Sequence, residues 1–271
     1  MALIYHYCSP QTFLHIIENK CIWLSSTNNM NDSSEGIWVK NAFQNAVYEL
    51  KSLYGIQWVM QTLKNYDEIN LPKYICCFSK DGDSLSQWRA YAQDGEGISI
   101  GIEDGDLGIN EHSLSANMDP RKSLAIKEID YVSEGDIYHE FITYANDNIS
   151  PDDFYKGSAY TFAKYCVDRA AIVKNPAFTE EKEKRLIFSY AEWGGYVTDD
   201  LDTENNELDE LKFRVSNGYL TNHFEYTIPT KSIKEIYIGP KNKFSTYDLN
   251  LFLNHNSLWD VEVKRSSATY R

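Results

Sequence analysis

A set of short, strand-like apolar runs separated by helical patterns restricts the fold more than any other feature of this sequence. The clearest run, GISIGIE, places Ile98, Ile100 and Ile102 on one side of an extended chain, with small or polar residues between them. Four other runs have strand character: LIYHY, CIWLS, YICCFS and IKEIYIGP. Because helical patterns separate them in an irregular order, we predict an α+β fold with a mixed, mostly antiparallel sheet core surrounded by helices.

Capping and turn residues predict where several elements begin and end. Ser9 is a good N-cap and Pro10 is tolerated in a first turn, so a helix is predicted from there to about Asn19. The Asn-Gly pair in FRVSNGYLTNHFEYTI predicts a β-hairpin. Further helices are predicted from Glu35 past Tyr48 toward Asn65, in SLSQWRAYA, through 136–174 and in YDLNLFLNHN, a strand at 126–132, and an extended tail after the last helix.

The size and charge of the chain bound its organisation and its partners. A chain of 271 residues with 42% hydrophobic side chains suits a single domain spanning 1–271. The formal net charge of -14 comes from 40 acidic and 26 basic residues, which argues against an extended nucleic-acid interface. Residues 192–212 are acidic and poor in apolar anchors, so a flexible acidic loop is predicted there.

The sequence contains no signal for export or for a membrane span. Its first residues, MALIYHYCSPQTF, lack a basic segment followed by a long apolar one, and no apolar stretch approaches the roughly 18 residues that a span needs. We therefore expect a cytoplasmic protein without a membrane partner. The five cysteines lack C-x-x-C spacing, so buried reduced thiols are predicted rather than zinc ligands or disulfides.

Two polar constellations near the N-terminus are candidates for a site. Tyr5-His6-Tyr7 lies on the first predicted strand, where we favour a hydrogen-bonded structural histidine over a ligand-binding one. The loop NNMNDSSE at 28–35 is most simply a turn that leads into a helix, with Asp32 or Ser33 as the N-cap. Taken alone, both constellations favour structural interpretations.

A third constellation, EEKEKRLIFSY at 180–190, places charges directly against an apolar run. If 183–189 is a strand, Glu181, Glu183 and Arg185 share one face, and a buried carboxylate and guanidinium there must pair or serve a ligand. If the segment is helical, Glu181 and Arg185 form an ordinary exposed i,i+4 pair. The sequence contains no Ser-His-Asp set, P-loop, H-E-x-x-H or kinase signature, so motif spacing does not identify a reaction.

Several blocks of the sequence together resemble a bacterial family catalogued as domain of unknown function 2971. The resemblance runs essentially end to end, and its blocks are YHYCSPQTFLHIIENKCIWLSSTNNMNDSSEG, YICCFSKDGDSLSQWRAYAQDGEGISIGIE, KNPAFTEEKEKRLI, IKEIYIGPK and SSATYR. Cys8 stands where the family usually has threonine, which argues against a hydroxyl function at that position. Lys184 stands where an aromatic is usual, which argues against a catalytic function for that side chain.

A more distant resemblance is to ADP-ribosyltransferases. It lies in a strand carrying Tyr-His, a helix, a strand ending in serine, and a later E-x-E that enters another strand. The resemblance implies split sheets and NAD as a substrate, and no metal is predicted. It also implies catalytic residues: Glu183 stabilises the positive charge that develops as the nicotinamide–ribose bond breaks, and Arg185 holds the glutamate or a pyrophosphate. The implied cofactor-binding residues are His6 and Tyr7, Ser25, Trp88 or Tyr91 as a stacking platform, and Asn31, Asp32 and Glu35, which line the cleft or fasten the loop.

The leading hypothesis is therefore an NAD-consuming enzyme, an ADP-ribosyltransferase or an NAD glycohydrolase, with an unknown macromolecular acceptor. In a bacterium this chemistry would suit a toxin or a phage-defence effector. One alternative is a non-catalytic ligand- or protein-binding sensor module, in which Glu183 and Arg185 form a structural ion pair and 192–212 docks a basic partner. Another is a nuclease in which Asp32, Glu35 and Glu183 hold a divalent metal.

Overall fold

A computed structural model of the protein describes residues 2–29, 35–109, 113–117, 119–150, 157–190, 208–216 and 218–268. The strands in these residues are β1 (Leu3–Cys8), β2 (Cys21–Ser26), β3 (Tyr74–Ser79), β4 (Ile98–Glu103), β5 (Leu124–Glu128), β6 (Asp130–Tyr131), β7 (Val173–Lys174), β8 (Glu183–Phe188), β9 (Lys212–Ser216), β10 (Tyr219–Thr227), β11 (Ile233–Ile238) and β12 (Glu262–Arg265). The α-helices are α1 (Pro10–Asn19), α2 (Glu35–Glu49), α3 (Lys51–Ile69), α4 (Leu85–Tyr91), α5 (Glu134–Asn148), α6 (Ser158–Ala170) and α7 (Thr246–His255).

Ten of these strands form one mixed sheet that is mostly antiparallel, which confirms the predicted α+β class. Its main path runs β12-β11-β4-β1-β3-β2-β10-β9, and β8 adds a branch that pairs with β3 and β5. The pairing of β11 with β12 is parallel, whereas the other pairings in this sheet are antiparallel. The short strands β6 and β7 pair in a separate two-stranded sheet.

The branch at β3 divides the sheet. Strand β8 pairs with β3 along its whole length, from Tyr74 to Ser79, and therefore occupies one edge of that strand. On the other edge, β1 meets β3 only at the Tyr5–Ser79 pair, while β2 meets it only at Ile75 and Tyr74. The two strands diverge from opposite ends of β3 and leave the middle of this edge open.

Two apolar clusters make up most of the core. One face of the sheet packs against α1 and α7 through residues that include Phe13, Ile17 and Leu253. The second cluster joins α2, α3, α5 and α6, and it also contains Val173 of β7. Among the described residues, no helix combines the length and the apolar character needed to cross a membrane.

Several predicted boundaries agree with the structure. Ser9 caps α1, since its Oγ accepts a hydrogen bond from the Thr12 amide at 3.0 Å, and Pro10 begins the helix as expected. Strands β9 and β10 form the hairpin predicted from Asn-Gly, with Gly218 in the left-handed region at φ 82°. All five cysteines are free thiols, four of them buried and Cys77 half-buried.

Other predicted elements need correction. The helical pattern over 136–174 contains α5 and α6 but ends in β7, because Val173 and Lys174 pair with β6. The strand predicted at 126–132 is instead two strands, β5 and β6, which belong to different sheets. The extended tail contains β12. Most of the acidic segment predicted as a flexible loop lies outside the described residues, and its end carries a bridge between Leu208 and Tyr226 and the start of β9.

A carboxylate in the loop before α4 joins that helix to a segment far away in the sequence. Asp83 Oδ1 accepts the indole N–H of Trp88 at 2.8 Å, and the hydroxyl of Ser266 also donates to it. Asp83 Oδ2 accepts from the backbone N–H of Ser267 at 2.7 Å and from its hydroxyl at 2.8 Å. The position of α4 therefore depends on contacts with residues that follow β12.

We expect Gly97→Ala to be strongly destabilising. A Cβ at Gly97 would lie 2.1 Å from the Cys8 carbonyl oxygen, and this backbone atom has little room to move. Urea unfolding should show a loss of about 3 kcal/mol, the upper end of the usual cost of overpacking. The control is Gly135→Ala in the first turn of α5, where the nearest atom is 3.9 Å away, and alanine should stabilise by about 0.5–1 kcal/mol. Equal stability of Gly97→Ala and wild type would contradict this packing.

Candidate functional site

A cavity of about 940 Å³ opens where β1 and β2 diverge from β3. It lies on the face of the sheet opposite α1 and α7. Phe78 of β3 belongs to the core on the side of these helices, so the next residue, Ser79, faces the other side. Tyr5 and Glu183 pair with Ser79 on the two neighbouring strands and therefore face that side as well. Strands β1, β2, β3, β8, β9 and β10, helix α4 and the segment 174–181 contribute its walls. Its volume is at the upper end of the roughly 300–1,000 Å³ typical of small-molecule and cofactor sites.

The cavity brings together six of the site residues predicted from the sequence. These are His6, Tyr7, Ser25, Tyr91, Glu183 and Arg185. Asn31 and Asp32 lie outside the described residues, as does the side chain of Glu35, the first residue of α2.

Trp88 does not line the cavity, so the prediction that it stacks on a ligand is corrected. Its side chain is fully buried, its ring packs edge-on against Tyr7 at 4.8 Å, and its N–H is bound by Asp83. Of the two stacking candidates, Tyr91 is the one at the cavity, and it is 47% exposed.

Glu183 and Arg185 form a buried bidentate ion pair at the wall of the cavity. Arg185 Nε donates to Glu183 Oε1 at 2.5 Å and Arg185 Nη2 donates to Oε2 at 3.1 Å, while both residues are about 5% exposed. The strand interpretation of this segment is therefore correct, and the helical alternative is wrong. Lys182 and Lys184 point away from this pair, toward Asp81 and Asp104 respectively.

Lys174 extends this ion pair to a second carboxylate. Its Nζ lies 3.2 Å from Glu183 Oε2 and 2.6 Å from Glu181 Oε2, and the Tyr91 hydroxyl donates to Glu181 Oε1 at 3.0 Å. Val173 is held in the helical cluster, so the alternation of β7 directs Lys174 into the cavity. Two cations and two carboxylates thus form one network, and sequence analysis missed Lys174 because a two-residue strand has no readable period.

The network keeps Glu183 ionised. Burial by itself would raise the pKa of Glu183, but the charges and hydrogen bonds of Arg185, together with the Lys174 ammonium, outweigh that effect and lower the pKa below its usual value. Its backbone N–H donates to the Tyr131 hydroxyl at 2.7 Å, which fixes the start of β8. The cavity therefore has a negatively charged oxygen pair held in place by two cations.

His6 lies at the point where β1 leaves β3, and its tautomer is fixed. Its Nδ1 is 3.1 Å from the Cys77 carbonyl oxygen, which can only accept, so Nδ1 carries the hydrogen. Burial lowers the pKa of His6, so the ring is neutral at pH 7. Its Nε2 is consequently a hydrogen-bond acceptor. The prediction of a hydrogen-bonded structural histidine is confirmed, since the His6 ring binds the Cys77 carbonyl group, which has no backbone partner in β1.

Tyr7 lines the cavity, but its hydroxyl holds the loop that leads to α4. The hydroxyl donates to the Asp81 carbonyl oxygen at 2.7 Å and accepts from the Ser84 amide at 2.9 Å. Both hydrogen-bonding directions of this group are thus used within the protein. Only its ring remains for a ligand.

A third cation, Arg214, lies at the opposite end of the cavity and was not predicted. Its guanidinium stacks on the indole of Trp23 at 4.7 Å, and its Nη2 donates to the Ser25 hydroxyl at 3.3 Å. In β9, Arg214 lies between the exposed residues Phe213 and Val215. Such alternation of apolar and polar residues is common in edge strands, so it did not indicate a site. Only the pairing of β9, β10 and β2 brings it to the cavity.

A separate group, His15, Cys21 and Glu225, has the spacing of a metal site among the described residues. Its chemistry is unfavourable for a cation, because Glu225 already binds Lys212 Nζ at 2.7 Å and the indole N–H of Trp23 at 3.1 Å. Burial also raises the pKa of Cys21 to about 11, which keeps the thiol protonated. We assign no metal to this group.

The chain is similar to a family of unknown function over part of its length. Residues 87–186, which are 100 of the 271, match the profile of a family described as "Protein of unknown function (DUF2971)". The matched part includes the Lys174, Glu181, Glu183 and Arg185 network and Tyr91. No match was found among the curated proteins or the solved structures, and nothing in these comparisons supports the more distant resemblance to ADP-ribosyltransferases.

We expect Glu183→Gln to cost more stability than Glu183→Gln combined with Arg185→Met. The single change leaves two buried cations with one carboxylate, which should cost about 3–5 kcal/mol. The double change removes both charges of the bidentate pair and leaves Lys174 bound to Glu181, so much of that loss should be recovered. Urea unfolding of the wild type and these two variants tests this, and a double variant no more stable than Glu183→Gln would contradict the coupling.

The lowered pKa of Glu183 also predicts a pH dependence. A carboxylate whose pKa is lower in the folded than in the unfolded state contributes its full stabilisation above the unfolded value of about 4.3. That contribution is lost as the pH falls further, through the lower folded pKa. Between pH 7 and pH 3, the free energy of unfolding should therefore fall more for the wild type than for the double variant. Parallel curves would show that Glu183 does not supply this stability.

Proposed function

We propose that this protein binds NAD in the cavity and cleaves its nicotinamide–ribose bond, as an ADP-ribosyltransferase or an NAD glycohydrolase. One observation carries the proposal. Six residues from distant parts of the sequence, assigned from the layout of ADP-ribosyltransferases, line one cavity of suitable size. A toxin or phage-defence function would follow from depletion of NAD or from modification of an essential acceptor.

The two carboxylates supply the chemistry that this reaction needs. When the bond breaks, its electron pair leaves with nicotinamide and neutralises the pyridinium, while positive charge develops at the ribose carbon. Glu183 is ionised and fixed in a buried position, where its negative charge is screened less by water and can stabilise such a centre. Glu181 is less deeply buried and is placed to orient the water or acceptor group that attacks the ribose carbon.

The neighbouring polar and aromatic groups suit a nucleoside. Nε2 of His6 is fixed as an acceptor, which is what a ribose hydroxyl requires of its partner. Tyr91 is tied to Glu181 by its hydroxyl, so its exposed ring stands beside the carboxylates and can stack on a flat heterocycle. The proposed orientation therefore places nicotinamide near Tyr91 and the ribose between His6 and Glu183.

A second function, a ligand-binding module without catalysis, is favoured by a different observation. Both oxygens of Glu183 are bound by Arg185, and this pairing neutralises much of the charge that the reaction would use. Under that interpretation the ion pair only holds the cavity open. The nuclease alternative is less well supported, because Lys174 and Arg185 beside Glu183 repel a divalent cation.

Nicotinamide release from NAD tests the proposed reaction. Wild-type protein should release nicotinamide, alone or with cell lysate as a source of acceptors. The Glu183→Gln, Arg185→Met double variant, which should stay folded, should release it about 10²–10³-fold more slowly, as is typical for loss of an electrostatic stabiliser. Glu68→Gln, an exposed change in α3, is the matched control and should leave the rate unchanged.

The outcomes separate the two functions. If NAD raises the melting temperature but no nicotinamide is released, the binding module is supported. If NAD neither binds nor is cleaved, with or without lysate, the proposal of an NAD enzyme is wrong.

A further inference from the structure

Arg214 makes few hydrogen bonds with the described part of the chain. Of its guanidinium nitrogens, only Nη2 donates to a partner in the described part of the chain, the Ser25 hydroxyl. Its Nε is buried and has no hydrogen-bond partner there. An unsatisfied buried donor is unfavourable, so the protein gains by offering it an acceptor that the described residues do not supply.

Among the described residues, the charges that line the cavity leave Arg214 without a carboxylate partner. The charged residues that line it are Lys174, Arg185, Arg214, Glu181 and Glu183, three cations and two carboxylates. The first two cations are bound to the two carboxylates, whereas Arg214 has no carboxylate within 4 Å among the described residues. Counting the described residues alone, this end of the cavity is positive, in a protein whose formal net charge is -14.

The neighbours of Arg214 hold its guanidinium in one orientation. Trp23 contacts the guanidinium on its ring face and packs against His223 at 4.3 Å between ring centroids. Burial is the main reason that the pKa of His223 is lowered, so this ring adds no second positive charge at pH 7. A guanidinium of fixed orientation is the usual protein group for binding phosphate through two hydrogen bonds, and the described residues leave a donor of Arg214 without an acceptor.

We propose that Arg214, together with Trp23 and Ser25, is an anion subsite that binds a phosphate group of an elongated ligand. The subsite stands on the environment of Arg214 and needs no reaction. Its assignment to the phosphates of a dinucleotide rests on the proposed function. With that assignment the orientation of the ligand in the cavity is defined, because its phosphates lie toward β2 and β9 and the bond to be broken lies toward β8.

The register of the sheet gives the length that such a ligand must span. Ser25 pairs with Ile75 and Glu183 pairs with Ser79, on opposite edges of β3. Four residue steps along the strand and two strand spacings give a separation of roughly 16 Å between the two Cα atoms. A single inorganic phosphate cannot contact both ends, so the subsite and the carboxylate network can be probed separately.

Titration calorimetry with inorganic pyrophosphate and with ADP tests the subsite without any turnover. Both should bind the wild type, and binding should weaken as NaCl is raised. Arg214→Met should bind about 10- to 100-fold more weakly, the range for losing a hydrogen bond to a charged group. Arg214→Lys keeps the charge but loses the planar fork, so its affinity should be intermediate. The control is Arg121→Met, which removes an exposed arginine paired with Asp119 and should bind like the wild type.

Each outcome decides the proposal. It is overturned if the wild type binds neither probe, if Arg214→Met binds both as tightly as the wild type, or if citrate binds at Arg214 and pyrophosphate does not. Should Arg214→Met fail to fold, Arg214→Lys and Ser25→Ala carry the same comparison. If pyrophosphate binding depends on Arg214 but the protein releases no nicotinamide, the anion subsite is supported and the proposed reaction is wrong. If nicotinamide is released but pyrophosphate binding does not depend on Arg214, the reaction is supported and the anion subsite is wrong.

Discussion

A strand has only two edges for hydrogen bonding, and the rest of the structure depends on which strands pair with each edge of β3. Because β8 takes one edge completely, β1 and β2 share the other and can reach only its ends. The backbone in the middle of that edge needs other partners, and His6 supplies one for the Cys77 carbonyl group. The cavity begins at this gap, so a concave polar site is a direct result of strand pairing rather than of loops added to a complete sheet.

In the charged network, the same side chains stabilise the fold and line the cavity. Burying four ionised groups is unfavourable unless each has a partner, and here Lys174, Glu181, Glu183 and Arg185 satisfy one another. The same contacts fix the two carboxylates at the cavity wall. A variant that changes one of them therefore alters both the fold and the site, and only paired substitutions can separate the two effects. Arg214 is outside this network, so changing it leaves these ion pairs in place.

The sequence predicts local structure well because local rules determine it. The Ser9 cap, the alternation of Ile98, Ile100 and Ile102 and the Asn-Gly turn each depend on neighbouring residues alone. The convergence of Glu183 and Arg185 on one face followed from strand periodicity, once a strand was assumed. These features needed no knowledge of the rest of the chain.

The parts that sequence analysis missed depend on distant contacts. Trp88 lies on α4, and the spacing of apolar residues in this helix is the same whether they face a ligand or the core. Only the contacts of Trp88 with Tyr7 and Asp83 show that it is buried. Lys174 and Arg214 reach the cavity through the pairing of β7 and β9, which no local pattern encodes. Non-local pairing is therefore the main information that the sequence did not reveal.

The anchoring of Asp83 has a consequence for the order in which the site forms. Its partners Ser266 and Ser267 are synthesised more than 180 residues later, so α4 lacks these contacts while most of the chain is being made. Contacts of such long sequence separation are slow to form, because a large loop must close before they contribute. The wall of the cavity that carries Tyr91 should thus be among the last parts to become rigid, and a nascent chain would hold an incomplete cavity.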